Sequence, residues 1–493
     1  VGHSIAGNCD AMATSTLHPT SKAPSPPELS LPLITKRKYS HCADEEGGEH
    51  GIGSESGTFR KRVGDSGGEQ TTGVVGEATI SQLVLNLVKN LVGTGALAIP
   101  NGVAAFASDP SALFPATFVL LVLAFIYGYY FHLIGRVCRM TSASSYCEAW
   151  EVSVGKSFSR VVVLSAALCG GLGNLGCSMV LADTGRSLLA SAGIDFTRTE
   201  CLLLLTVFVL LPLCLIKKLS GLAPFSFVGL VGMVFTAAAM AYRYHEGSYD
   251  SVRGGRFLED IPTNMKPSFG TVGVSGALSV NISFLACVSA QAYLAHYNAP
   301  RFYVDLNSNT VQRFGALTTW SFAITAIFYV TVASYGFLTF GSNSSGFILN
   351  NYSTEDNIVT MCRAAVFFAV VTSYPLIFMG FRNGIVDFFA ANNPKKSLLE
   401  SSCFTIAVLS FITLMAMHLE DLGAVSALTG GLLGTLTVFV FPTLMFGSAI
   451  KGLDKKASVR QLREVKFATG LMYFGIALGA VGVWLTLLDK RSV

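Results

Sequence analysis

Runs of about twenty apolar residues recur from residue 79 almost to the C-terminal end of this chain, and they confine it to very few folds. In hydrocarbon every backbone N–H and C=O must be satisfied inside the protein, so a series of such runs folds as a bundle of membrane-spanning helices. Eleven runs can be counted, at roughly 79–106, 112–138, 160–190, 200–216, 221–242, 273–297, 314–340, 360–388, 400–417, 422–447 and 467–488. Charged residues make up 13% of the chain, about half the share of a soluble domain, and the mean hydropathy is +0.54. The expectation is an all-α polytopic membrane protein of about eleven transmembrane helices, with the transmembrane domain over residues 77–490.

Residues 1–76 differ in kind. They are rich in Gly, Ser, Pro and Glu and lack apolar periodicity. Such a composition cannot bury a core and reads as a disordered cytosolic tail. Its basic clusters, Lys36-Arg37-Lys38 and Arg60-Lys61-Arg62, read as solvated surface, with regulation or lipid contact as the alternative. The chain begins with Val rather than Met, which leaves the completeness of the N-terminus open. No signal peptide is visible, and the first run would serve as its own insertion signal. The 11 cysteines include no Cys-x-x-Cys pair and mostly fall inside apolar runs, where they act as small hydrophobes.

Orientation follows from the Lys and Arg of the connections. With the tail in the cytosol, inside segments carry seventeen: Arg136, Arg139, Lys156, Arg160, Lys217, Lys218, Arg301, Arg313, Arg382, Lys395, Lys396, Lys451, Lys455, Lys456, Arg460, Arg463 and Lys466. Outside segments carry eight: Arg186, Arg198, Arg243, Arg253, Arg256, Lys266, Lys490 and Arg491. The excess predicts a cytosolic N-terminus and an external C-terminus. Two glycosylation sequons, Asn343-Ser-Ser345 and Asn351-Tyr-Ser353, fall in a connection this topology puts outside.

The first run is interrupted near its middle by Gly93-Thr94-Gly95. Two glycines around a Thr invite a helix to unwind. Unwound backbone at membrane depth lines a cavity or is buried in protein, and in secondary transporters it is where substrate is held. The same glycines could serve close helix packing alone. Asn86 and Lys89 stand seven and four residues before Gly93, on the face where the break would open. Lys89 lies about 15 Å into its run at 1.5 Å per residue. A charge at that depth points to function, either in the place of a coupling cation or as a proton carrier. The alternative is a Lys that snorkels to the surface.

Three further motifs need weighing. Gly171-Leu-Gly173-Asn-Leu-Gly176 spells a dinucleotide fingerprint but sits inside an apolar run with no strand before it, so close helix approach explains it. The sixth run holds Ser283 and Ser289, candidate cavity hydroxyls, and ends at His296. That imidazole could titrate near neutrality as a gating or proton-linked group, or be a hydrogen-bonded residue at the interface. In the eighth run Thr372-Ser373 precede Tyr374-Pro375. Adjacent hydroxyls there can back-bond to the helix or offer hard oxygen ligands to Na⁺.

Taken together these segments resemble the amino acid/auxin permease family, nearest its neutral amino acid transporter branch. The likeness rests on the Asn86…Gly93-Thr94-Gly95 opening and on His296-Tyr-Asn298 with Tyr303, where Ala295 replaces the usual Cys. It rests also on Ala333-Ser-Tyr-Gly336-Phe-Leu338-Thr339-Phe340-Gly341, and on Asn351-Tyr352, Arg363, Tyr374-Pro375 and Arg382. The resemblance implies a five-plus-five inverted repeat with broken helices 1 and 6, plus an eleventh helix. It places the substrate between the breaks, with the backbone of Gly93-Thr94-Gly95 at the carboxylate and the polar part of run six, Ser283 and Ser289 included, at the amine and side chain. In sodium-coupled members an Asn of helix 1 and a Thr of helix 8 help hold the ion. The matching positions here are Asn86 and Ser373, with Thr372 adjacent, so a Na⁺ site at Asn86 and Ser373 stays open. Lys89 is instead similar to the proton-coupled branch.

The implied function is a secondary active transporter of neutral amino acids, coupled to H⁺ or Na⁺ by alternating access. It would work as a monomer in a vacuolar, lysosomal-type or plasma membrane, with the amino acid and the bilayer as partners and neither cofactor nor nucleic acid. The alternatives are an amino acid sensor signalling through the tail and a carrier of another organic acid. Enzymatic chemistry is not expected, because no nucleophile–base set, phosphate loop or metal cluster is visible in the sequence.

Overall fold

The computed structural model describes residues 76–216, 225–390, 402–453 and 457–488. Nearly all of the expected tail, with both of its basic clusters, lies outside the described residues, as do Lys217, Lys218, Lys395, Lys396, Lys455, Lys456, Lys490 and Arg491.

Thr79 starts helix α1 (Ile80–Leu91) with a capping box. Its hydroxyl accepts from the Gln82 N–H, and the Gln82 side chain accepts from the Thr79 N–H. Leu83, Leu87 and Leu91, four apart, form the buried stripe of this helix. The helix ends at Leu91. A 3₁₀ turn over Thr94–Ala98 leads into α2 (Ile99–Ala104), and the two arms meet at 47°. The expected break is therefore present where Gly-Thr-Gly put it.

There follow α3 (Leu113–Thr141), the short α4 (Tyr146–Ser153), α5 (Ser159–Ser191), α6 (Arg198–Leu215) and α7 (Phe225–Glu246). Then come α8 (Ile282–Ala292), α9 (Ala299–Asp305), α10 (Val311–Phe340) and α11 (Asn357–Ala390). The last three are α12 (Ser402–His418), α13 (Leu422–Lys451), which carries a π-helical stretch over Gly430–Val440, and α14 (Val459–Leu488). Among the described residues eight helices are long and apolar enough to cross a membrane, or nine if the bent α1–α2 pair is one span. Among the described residues there are also no strands, only two isolated bridges. This is an all-helical, multi-pass membrane protein.

Two of the eleven expected runs give shorter helices among the described residues. Run nine yields α12, with 17 described residues, and residues 400 and 401 of that run lie outside the described residues. Run six, expected over 273–297, yields a 3₁₀ turn at Val274–Leu278 and then the 11-residue α8. A second break follows at Tyr293–Ala295 before His296–Asn298 and α9. The early shortfall has a steric cause. A Cβ on Gly273 would collide with the Ser111 hydroxyl, and one on Gly276 with the Phe106 carbonyl. The backbone just before Gly273 is also tied to the α2–α3 connection, where the Ser108 N–H donates to the Val272 carbonyl at 2.8 Å.

Small residues set the packing. Gly170, Gly171 and Gly173 of α5 lie on Phe381 and Ile377 of α11, while Gly229 and Gly232 of α7 lie on Ala369 and Ala365. The fingerprint-like string of α5 thus serves close approach. The end of the bundle that holds the α10–α11 connection is fastened by charge. Arg243 pairs with the fully buried Asp356 at 2.6 Å, and Tyr249 donates to the same carboxylate. Arg363 donates to the carbonyls of Leu349, Tyr352 and Ser353. Asp183 of α5 takes Arg198 at 2.7 Å and the Asn350 amide at 2.9 Å.

This network uses both sequon asparagines. Asn351 is fully buried; its Oδ1 accepts from the Ser345 N–H, and its Nδ2 donates to the carbonyls of Met265 and Asn343. Asn343 donates to the Lys266 carbonyl. The sequon asparagines are structural members of the connection, and Asn351 offers no free amide to a glycan.

Candidate functional site

The breaks of the first and sixth runs adjoin. A Cβ on Gly95 would stand 3.2 Å from the Ala292 Cα, so glycine lets the first break lie tightly on the end of α8. Beside Gly93, in contrast, a Cβ would meet nothing within 4 Å. Gly93, Thr94 and Gly95 are all partly accessible. The breaks are joined by a residue that sequence reasoning missed. The fully buried Tyr329 of α10 has its hydroxyl 2.6 Å from the Leu91 carbonyl and 2.7 Å from the Ala292 carbonyl. These carbonyls belong to the last turns of α1 and α8, whose helix dipoles bring two partial negative ends to one hydroxyl.

Ser289 lies on the α8 face that meets the first run, between Leu285, which packs on Gly102, and Ala292, which packs on Gly95. It is fully buried, and its Oγ has no hydrogen-bond partner among the described residues. Ser283 is buried too, but it shares the face of Cys287, four residues on. The Cys287 thiol points at the carbonyls of Leu478 and Gly479 in α14, so Ser283 stands away from the breaks.

On α1 the polar stripe lies opposite the buried leucines. Gln82, Asn86 and Asn90 are exposed and Lys89 is half-buried. Lys89 makes no ion pair among the described residues. On α11 Thr372 donates to the carbonyls of Phe368 and Ala369, and Ser373 to those of Ala369 and Val370. Asn86 and Ser373 are not hydrogen-bonded to one another in this structure.

His296 is fully enclosed. Its Nε2–H donates to the Tyr127 carbonyl at 2.9 Å, which leaves Nδ1 buried without a partner. Phe131, Tyr127 and Phe322 present edges and faces to its ring. Beside it Tyr293, just past the end of α8, stacks on Phe322 and meets Tyr329 at 4.6 Å between ring centres.

Asn174 completes the region from α5. Three residues on, the Cys177 thiol lies against the Thr94 hydroxyl. Four residues on, Ser178 hydrogen-bonds the Tyr374 hydroxyl of α11 at 3.1 Å. Asn174 is fully buried, and both Oδ1 and Nδ2 lack a partner among the described residues. Its sequence signal was an amide inside an apolar run, masked by the glycines around it. Tyr329 had no such signal, because aromatic residues are ordinary in membrane helices.

Comparison with known proteins adds to this geometry. Residues 76–488 match the family model described as "Transmembrane amino acid transporter protein". A protein of Schizosaccharomyces pombe named "Vacuolar amino acid transporter 5" is 26% identical over 416 residues, which cover 81% of this chain and 92% of that one. A protein of Danio rerio named "Putative sodium-coupled neutral amino acid transporter 11" is 22% identical over 379 residues, covering 75% of this chain and 79% of its own.

Proposed function

From the premise that this chain belongs to the transmembrane amino acid transporter family, a family of transporters and not of enzymes, we propose that it is a secondary active carrier of neutral amino acids. It would work by alternating access on a five-plus-five inverted repeat completed by an eleventh span. The observation that carries the reading is the meeting of two interrupted helices at one buried hydroxyl, that of Tyr329. Broken helices leave backbone groups free at membrane depth, and such groups are tolerated where a solute passes.

In this reading the substrate lies between the breaks. Its carboxylate meets the first N–H groups of the Thr94–Ala98 turn, beside Gly93, Thr94 and Gly95, and Ser289 serves the other side. Ser283 is the weaker member of the expected set, because its face turns to α14. The exposed amides of Gln82, Asn86 and Asn90 cannot face lipid without cost, so they line a wet path from the cytosolic side to the break, with Lys89 on its wall. Lys89 carries the coupling proton. Asn86, Thr372 and Ser373 are the positions a Na⁺ site would use. His296, sealed among aromatic rings, controls movement of the sixth span. The S. pombe relative's name favours a vacuole-type membrane, with the N-terminus in the cytosol.

Counterflow in proteoliposomes tests the proposal. The purified protein should exchange a labelled neutral amino acid in the absence of ATP, and an imposed pH gradient should drive net accumulation. Failure to exchange any proteinogenic amino acid would remove the carrier reading.

A further inference from the structure

The amide of Asn174 has no work inside the protein. Three hydrogen-bonding positions, two N–H donors and one carbonyl oxygen, are fully buried without partners among the described residues. A buried amide left unsatisfied costs about 1–3 kcal/mol per group, and a helix that needed only bulk there could carry an apolar residue. Its neighbours on the stripe define where it aims. Cys177, three residues on, meets Thr94 at the break, and Ser178, four residues on, meets Tyr374. The amide therefore lies between the first break and α11, on a side of the site not occupied by the end of α8.

We infer that Asn174 contacts the transported molecule and selects for an uncharged, hydrogen-bonding side chain, a carboxamide or a hydroxyl, over an aliphatic one of the same size. This rests on the carrier reading above. With the zwitterionic head group served by backbone at the breaks, the group that reaches α5 is the side chain. None of Thr94, Cys177, Ser178 and Tyr374 carries a formal charge, so a charged side chain would be buried unpaired there. An amide complements another amide by donating and accepting at once. A site built around such a bond rejects the analogue that lacks it far more strongly than a hydrophobic pocket rejects a size change.

Asparagine and leucine have the same side-chain branching and heavy-atom count, and comparing their ratio between wild type and variants cancels leucine's greater bulk. The full-length wild-type carrier should prefer asparagine to leucine in competition for uptake. Asn174→Leu should lower that ratio by about tenfold or more, and Asn174→Ala should lose it likewise. A second readout separates contact from architecture, namely melting of the purified proteins with and without asparagine. Without ligand, Asn174→Ala should melt close to wild type, because the amide it removes bonds nothing among the described residues. With asparagine, only the wild type should gain stability. An unchanged asparagine-to-leucine ratio in either variant would overturn the assignment. So would a ligand-free melt for Asn174→Ala well below wild type, which would make the amide structural. Wild type that neither moves nor is stabilised by any amino acid would instead remove the carrier reading on which the inference rests.

Discussion

Gly93 and Gly95 stand two positions apart and meet different surroundings. Gly95 lies on the backbone of Ala292, and a Cβ there would press on α8 at 3.2 Å. Gly95→Ala should therefore loosen the contact between the breaks and lower the melting temperature. Gly93 borders open space, so Gly93→Ala should leave stability unchanged, whereas Gly93→Leu should reach the membrane intact and block uptake by filling that space. Normal uptake by Gly93→Leu would refute the placement of substrate at the break. Tyr329→Phe removes the hydroxyl that both helix ends share and should cost about 1–3 kcal/mol, read as a lower melt with expression retained. The glycines could be read from the chain because interruption of a helix is a local property of two residues. Tyr329 and Asn174 could not be read in the same way. The bond from Tyr329 to Leu91 spans 238 positions, and an amide's lack of partners is known only once its surroundings are placed.

Among the elements, the long helices were the legible ones, since twenty apolar residues in lipid leave the backbone little choice. The short α8 was not. Its run is apolar enough to span, but the glycines at 273 and 276 bring its first turns against Ser111 and Phe106, and tertiary contact overrode hydropathy there. In the α10–α11 connection the structure adds what the spelling of the sequons could not show. A sequon is a matter of spelling, while acceptance of a glycan needs an exposed amide, and the amide of Asn351 is spent on three backbone groups. Removing the sequon with Ser353→Ala should leave gel mobility unchanged, before and after glycosidase treatment. Asn351→Asp should destabilise the connection, because its two N–H donations are lost in place. A mobility shift on Ser353→Ala would show that this connection opens during synthesis.

For the whole molecule the proposed carrier requires a driving ion, and two parts of the fold bear on which ion in opposite directions. The hydroxyls of Thr372 and Ser373 both donate to carbonyls of their own helix, yet each keeps lone pairs that a Na⁺ ion could use. Asn86, the third expected oxygen, is exposed on α1 and is not bonded to Ser373. Lys89 stands on the same stripe of α1 as Asn86, half-buried, one turn from the break, and without an ion pair among the described residues. Its ammonium repels a second cation held nearby, by about 4 kcal/mol at 4 Å and an effective dielectric constant of 20. An amine on the wall of a water-lined path can instead exchange its proton with either side as the carrier turns. The proposed driving ion is therefore the proton. Uptake should rise as the pH on the substrate side falls and should be indifferent to replacement of Na⁺ by choline. Lys89→Ala should flatten the pH response with binding retained, while Ser373→Ala should change little. Uptake that collapses in choline and in Ser373→Ala, with a pH response that survives Lys89→Ala, would make sodium the driving ion and Lys89 a structural residue of α1.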